Sequence, residues 1–111
     1  MLSYRISEVA EADIEGILEY SLDTFGEDAA IRYANLLKVS VDALRKNAER
    51  AGVSPTLRRL NKFHIEMCKK EAQIDGVVVA SPRHIIFFRI SDGILEIVRV
   101  LHDSMDFERH L

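Results

Sequence analysis

Residues 81–111 read SPRHIIFFRISDGILEIVRVLHDSMDFERHL. Two apolar runs, His84 to Ile90 and Ile94 to Leu101, flank Ser91-Asp92-Gly93. Aspartate and glycine tolerate the positive φ of a tight turn, so Asp-Gly between β-branched and aromatic runs predicts a β-hairpin. Neither run alternates cleanly between apolar and polar. Leu95, Ile97 and Leu101 occupy one parity of the second run, and Ile94, Val98 and Val100 the other. A strand that is apolar on both sides expects cover on both sides. The hairpin is therefore the predicted centre of a small sheet.

Upstream, Leu2 to Ile6 reads as a first strand. Ser7 follows as an N-cap, with Glu8 and Glu11 in the first turn, where the helix dipole favours negative charge. Ile14, Ile17, Leu18, Ser21 and Phe25 then share one helical face, and Gly26 ends the helix. A second helix is expected from Glu27 to about Ala48, with Ala30, Tyr33, Leu37, Val41 and Leu44 at helical spacing. The short break at Gly26 makes the two an antiparallel hairpin. Residues 49–61 carry Gly52, Ser54 and Pro55 and read as a loop. Phe63 to Met67 alternates and reads as a strand, and Val77 to Ala80 as a short β-branched strand ended by Ser81-Pro82. Lys69 to Gly76 is polar, fitting a loop or a helical turn.

The order gives an α+β fold: an N-terminal strand, then an antiparallel two-helix hairpin packed on one face of a small antiparallel β-sheet. At 111 residues the chain suits one domain, residues 1–111, with a single core. The other face of the sheet has no helix of its own. Its apolar surface is expected to need the C-terminal tail, a second copy or a partner chain as cover.

No apolar stretch is long enough for a membrane span, and the N-terminus lacks the pattern of a signal peptide. Cys68 is the only cysteine, which excludes an internal disulfide and fits a reducing cytoplasm. The net charge of −3 argues against a generally basic nucleic-acid binder, but the charge is uneven. Residues 1–57 hold 6 Lys/Arg against 10 Asp/Glu, whereas residues 58–111 hold 9 against 8 and all 4 histidines. Arg58, Arg59, Lys62, Lys69 and Lys70 form the densest positive patch, with only Glu66 opposing it. Such a patch is ordinarily a solvated loop; its functional reading is a footprint for an acidic partner or a phosphate backbone.

His102-Asp103-Ser104 contains the residue types of a hydrolase triad. Neighbours leaving a strand do not line up as nucleophile, base and orienting acid, and no glycine-flanked nucleophile elbow is present. His64, His84, His102 and His110 are each isolated, and with Cys68 they form no zinc spacing, so no metal is expected. Arg89 and Arg99 lie within the hairpin strands. They either pair with acidic groups such as Glu96 or the terminal carboxylate, or project toward an acidic partner or phosphate.

Arg99-Val100-Leu101-His102-Asp103-Ser104-Met105-Asp106, followed by Arg109-His110-Leu111, resembles the tail of the ParE branch of the RelE/ParE toxins. Pro82 to Arg89 and Leu95 to Arg99 resemble the family's last two strands. Ala12-Asp13-Ile14, Ile17, Tyr20, Phe25-Gly26, Ala30 and Tyr33 are similar to its helical hairpin. The segment from about Cys68 to Ser81 is longer than in the shortest members.

The resemblance implies a type II toxin neutralised by a ParD-like antitoxin, with operator DNA met only through that antitoxin. It also implies DNA gyrase as the target, poisoned without catalytic residues or a cofactor of the toxin's own. Arg83, Arg89, Arg99, His102 and Arg109, on the basic side of the last strands and tail, are the expected target contacts. Two alternatives remain. One is a RelE-like ribosome-dependent mRNA endonuclease using His102, His110 and Arg99; the other is a non-toxic family member that binds an antitoxin. Residues 100–111 offer one arginine, no lysine and no tyrosine, a poor set for activating a 2′-hydroxyl and stabilising a charged transition state.

Overall fold

The computed structural model describes residues 1–111. Strand β1 (Ser3–Ile6) leads into helices α1 (Glu8–Phe25) and α2 (Glu27–Lys46). Short strands β2 (Val53–Pro55) and β3 (Asn61–His64) follow, then the long pair β4 (His84–Ser91) and β5 (Ile94–His102), and a one-turn helix α3 (Phe107–His110). The sheet order is β1-β5-β4-β3-β2, so the predicted hairpin is central. Asp92 and Gly93 have φ of 52° and 75°, the two positive values that a type I′ turn requires. Residues at both ends of the chain meet on β5. Strand β1 joins it in parallel, Ser3 opposite Ile94 and Ile6 opposite Ile97, so the sheet is mixed where an all-antiparallel one was expected.

Ser7 explains how the first strand becomes the first helix. Its side chain accepts the Ala10 N–H at 3.0 Å as an N-cap and donates to the Val98 carbonyl at 2.9 Å. The same residue thus caps α1 and prolongs the β1 edge along β5. Gly26, at φ 95°, takes a conformation that L side chains rarely adopt and lets α2 turn back on α1.

The main core lies between the helical hairpin and the sheet. Leu36, Leu37 and Leu44 of α2 meet Phe63, Ile86, Phe88, Leu95, Ile97 and Val100 of the strands. Phe63 and Phe88 are fully buried, and burial of each such side chain stabilises the fold by roughly 2–3 kcal/mol. The register shifts between Phe87 and Phe88, where β5 carries an extra residue. That bulge breaks the strict parity of β5: Leu95, Ile97 and Val100 face the helices, while Val98 and Leu101 face away.

Four further expectations are corrected. Val77 to Ala80 is not a strand; only an Ile74–Val77 bridge forms there, closing a tight turn at Asp75-Gly76. Within the segment read as a loop, Val53–Pro55 pairs with β3 as a three-residue edge strand, and β3 itself stops at His64, where a 3-10 turn begins. The second sheet face is not an open apolar surface. Phe107 and Leu111 of the tail pack on Leu60, Ile85, Phe87 and Leu101, and the Phe107 and Phe87 rings meet edge to face at 4.9 Å. The tail is thus one cover of this face. The remainder of that face carries charge: Arg5, Glu96 and Arg89 sit side by side across β1, β5 and β4. No helix is long and apolar enough to cross a membrane.

Candidate functional site

Exposed apolar surface collects elsewhere, in a cleft of about 940 Å³ between the helical hairpin and residues 77–81. The helices contribute Ile17, Tyr20, Phe25 and Ala29, and the opposite wall is Val77, Val78, Val79 and Ala80. Phe25 is 68% exposed and Tyr20 65%, although their rings touch edge to face at 6.3 Å. Val77, Val78 and Met105 are also exposed. Large side chains left this open at one place mark a surface made to be covered. Irregular backbone suits this wall. The run Val77-Val78-Val79 has no strand partner beyond the Ile74 bridge, so its backbone is not committed to a ladder, and Val79 also packs against the core.

The polar end of the cleft is built by the start of β4, the end of β5 and α2. Tyr33 Oη lies 2.5 Å from His84 Nδ1 and accepts the Arg83 backbone N–H at 3.2 Å. His84 and His102 are cross-strand partners with rings edge to face at 5.3 Å. Burial, reinforced by the neighbouring His102, pushes the His84 imidazole down to about 4, so it is neutral at physiological pH. Burial likewise raises the Tyr33 phenol.

Behind this pair, Asp103 holds the corner together. Arg83 reaches its Oδ1 with Nη2 at 2.8 Å and Nε at 2.9 Å, while His64 Nε2 meets its Oδ2 at 3.0 Å. Hydrogen bonds from Arg83 and then His64 hold the Asp103 carboxyl well below the usual carboxylate range. The Asp103 N–H also donates to the Arg83 carbonyl at 2.7 Å, extending the β4–β5 pairing into the turn.

The local geometry argues against hydrolytic chemistry. Ser104 Oγ is 2.7 Å from His102 Nδ1, and Asp103 Oδ1 approaches the same nitrogen at 3.6 Å. A nucleophile–base–acid relay needs serine and carboxylate on opposite ring nitrogens. The nuclease set fares no better. Arg99 is held by Asp13 and by the His110 carbonyl, whereas His102 lines the cleft. No cluster of three or more His, Cys, Asp or Glu side chains could hold a metal.

Of the five residues expected to contact a target, Arg83 and His102 come together on the cleft. The other three lie apart. Arg89 pairs with Glu96 on the tail-covered face, Arg99 ties β5 to α1, and Arg109 is exposed on α3 beside Asp106. Tyr20, Phe25, Tyr33, His84 and the valine run escaped the sequence reading as site residues. Tyr20 was the available signal, because a ring that far off the buried face of α1 has no core to fill.

A family model described as the ParE toxin of the type II toxin–antitoxin system parDE matches residues 4–107. The chain is 32% identical over 111 residues to Toxin ParE1 of Caulobacter vibrioides, covering 100% of this chain and 99% of that one. It is 29% identical over 109 residues to Toxin ParE1 of Mycobacterium tuberculosis, covering 97% and 96%. Among solved structures, a chain of the chromosomal ParDE system from P. aeruginosa superposes with a TM-score of 0.69 at 17% identity, covering 92% of this chain and 96% of that one. A copper-bound mutant toxin from Helicobacter pylori gives 0.56 at 16% identity, covering 94% and 97%. The two structures share the fold, and the family match spans the strand, the helical hairpin and the tail alike: the chain belongs to the ParE toxin family of type II toxin–antitoxin systems.

Proposed function

We propose that this protein is the toxin of a ParDE-type pair, neutralised by a ParD-like antitoxin that lays an apolar segment in the cleft. The exposure of Phe25 and Tyr20 against the valine wall is the observation that carries the reading. Arg32 and Arg83 line the same cleft, which favours an antitoxin segment with carboxylates beside its apolar anchors. The P. aeruginosa neighbour comes from a ParDE system, in keeping with such a partner.

Freed from its antitoxin, the toxin acts on DNA gyrase in the cytoplasm by binding and stalling it, without catalysis of its own. The one-sided placement of Ser104 and Asp103 on His102 and the commitment of Arg99 support a binding role over a nuclease role. Purified toxin is expected to inhibit supercoiling by its host's gyrase, and added antitoxin to restore it. Undiminished supercoiling at high toxin concentration would refute the target. Cleavage of ribosome-bound mRNA, lost in His102→Ala, would establish the nuclease instead.

A further inference from the structure

Three two-residue turns in this chain have positive φ at both central positions. Two use Asp-Gly, at 75–76 and 92–93, the pairing that such turns favour. The third, between β2 and β3, uses Arg58 and Arg59, with φ of 56° and 60°, closed by the Leu60 N–H donating to the Leu57 carbonyl at 3.1 Å. Left-handed backbone is costly for long side chains, and two in succession are held only where the surroundings demand it. Nothing in the fold demands arginine there. Both side chains are exposed and neither forms an ion pair, so both cations at this turn are free to meet an anionic partner.

The turn adjoins a cationic row. Just before β3, Leu60 packs under the tail, so Lys62, two residues on, shares that face and lies opposite Phe87. Arg89 follows Phe87 on the same parity of β4, and Arg5 of β1 reaches the same face, where both bind Glu96. Lys62 makes no ion pair. On the strands and their turn, five cations therefore stand against one carboxylate, Glu96, already shared by Arg5 and Arg89, while the tail beside them adds Asp106, Glu108 and Arg109. The next carboxylate along these strands, Asp92, sits in the β4–β5 turn.

We infer that this face, Arg5, Arg58, Arg59, Lys62 and Arg89, binds the phosphate backbone of nucleic acid directly. Four of the five are arginines, whose planar forks match phosphate oxygens. The centre of a protein–protein interface is built on apolar and aromatic anchors, and the exposed members of this row bring none. The inference goes beyond the antitoxin and gyrase readings and rests on neither. It departs from the expectation that operator DNA is met only through the antitoxin.

The test uses the double variant Arg58→Asn/Arg59→Gly, which restores the favoured turn chemistry, so loss of folding cannot explain its outcome. Full-length protein is titrated into a fluorescent mixed-sequence DNA duplex and a single-stranded RNA at about 50 mM salt and above. Wild type is expected to bind at least one of the two, with affinity falling as salt rises. The variant is expected to bind about ten-fold more weakly, with a log–log salt slope shallower by about 2, while its thermal midpoint rises. Which nucleic acid binds more tightly assigns the source of the phosphate. The inference is overturned by no binding to either, by binding unchanged in the double variant, or by equal weakening in Arg32→Ala on the cleft. Displacement of the nucleic acid by polyglutamate at equal charge concentration would overturn it too, assigning the row to an acidic protein.

Discussion

Asp13 grips Arg99 with both carboxylate oxygens, Oδ2 to Nε at 2.8 Å and Oδ1 to Nη2 at 2.9 Å. The same Oδ2 accepts the Val100 N–H at 3.0 Å, so one side chain of α1 satisfies β5 where β1 has already ended. Arg99 then donates to the His110 carbonyl at 2.8 Å, joining α1, the central strand and the tail. Both side chains are mostly buried. Asp13→Ala leaves a guanidinium and an edge N–H without their acceptor and is expected to destabilise the fold by about 2 kcal/mol. Urea unfolding measures this; a loss below about 0.5 kcal/mol would mean that water replaces the carboxylate freely.

His84 gives the fold a dependence on pH. Its folded value of about 4 lies below the ordinary 6.5, so on acidification the unfolded chain takes up the proton first. The neutral imidazole costs nothing above 6.5. Stability should fall as pH drops from 6.5 toward 4, by about 3 kcal/mol in total, and this contribution then levels off. Loss of the Asp103 bonds to Arg83 and His64 extends the decline below the usual carboxylate range, because that group's folded value is depressed. Denaturant midpoints across this range should slope in wild type, and the slope between 6.5 and 4 should flatten in His84→Gln.

The tail is a structural cover. Phe107 shields the fully buried Phe87, and Leu111 packs beside it. Phe107→Ala should cost about 2 kcal/mol, less than a wholly buried phenylalanine because the ring is only partly enclosed. The variant should also bind a hydrophobic dye that wild type does not, reporting the exposed patch around Ile85 and Leu101. Unchanged stability would return this face to the role of an uncovered interface.

Elements that rest on neighbouring residues were legible in the sequence. The Asp92-Gly93 turn, the Ser7 cap and the Gly26 break each follow from local dihedral and hydrogen-bonding needs. Elements that rest on distant partners were not. Val53–Pro55 is a strand only because β3 lies beside it, with Pro55 tolerated at the sheet edge. Val77 to Ala80 has strand composition but finds no second ladder. The acidic partner of Arg89 could be guessed seven residues away at Glu96, whereas that of Arg99 lies 86 residues away at Asp13. The cleft was hidden for the same reason: it exists only where Phe25 and Tyr20 of α1 face residues 77–79 of a distant segment.

The claim that this cleft holds the antitoxin is tested most directly by calorimetric titration of the cognate antitoxin into wild type and Phe25→Asp. Phe25 is 68% exposed in the free toxin, so the substitution should leave the melting temperature within a few degrees. An aromatic anchor at the centre of an interface contributes about 2 kcal/mol or more, so affinity should fall at least about 30-fold. Equal affinity for the two proteins would contradict the account and place the antitoxin on another surface.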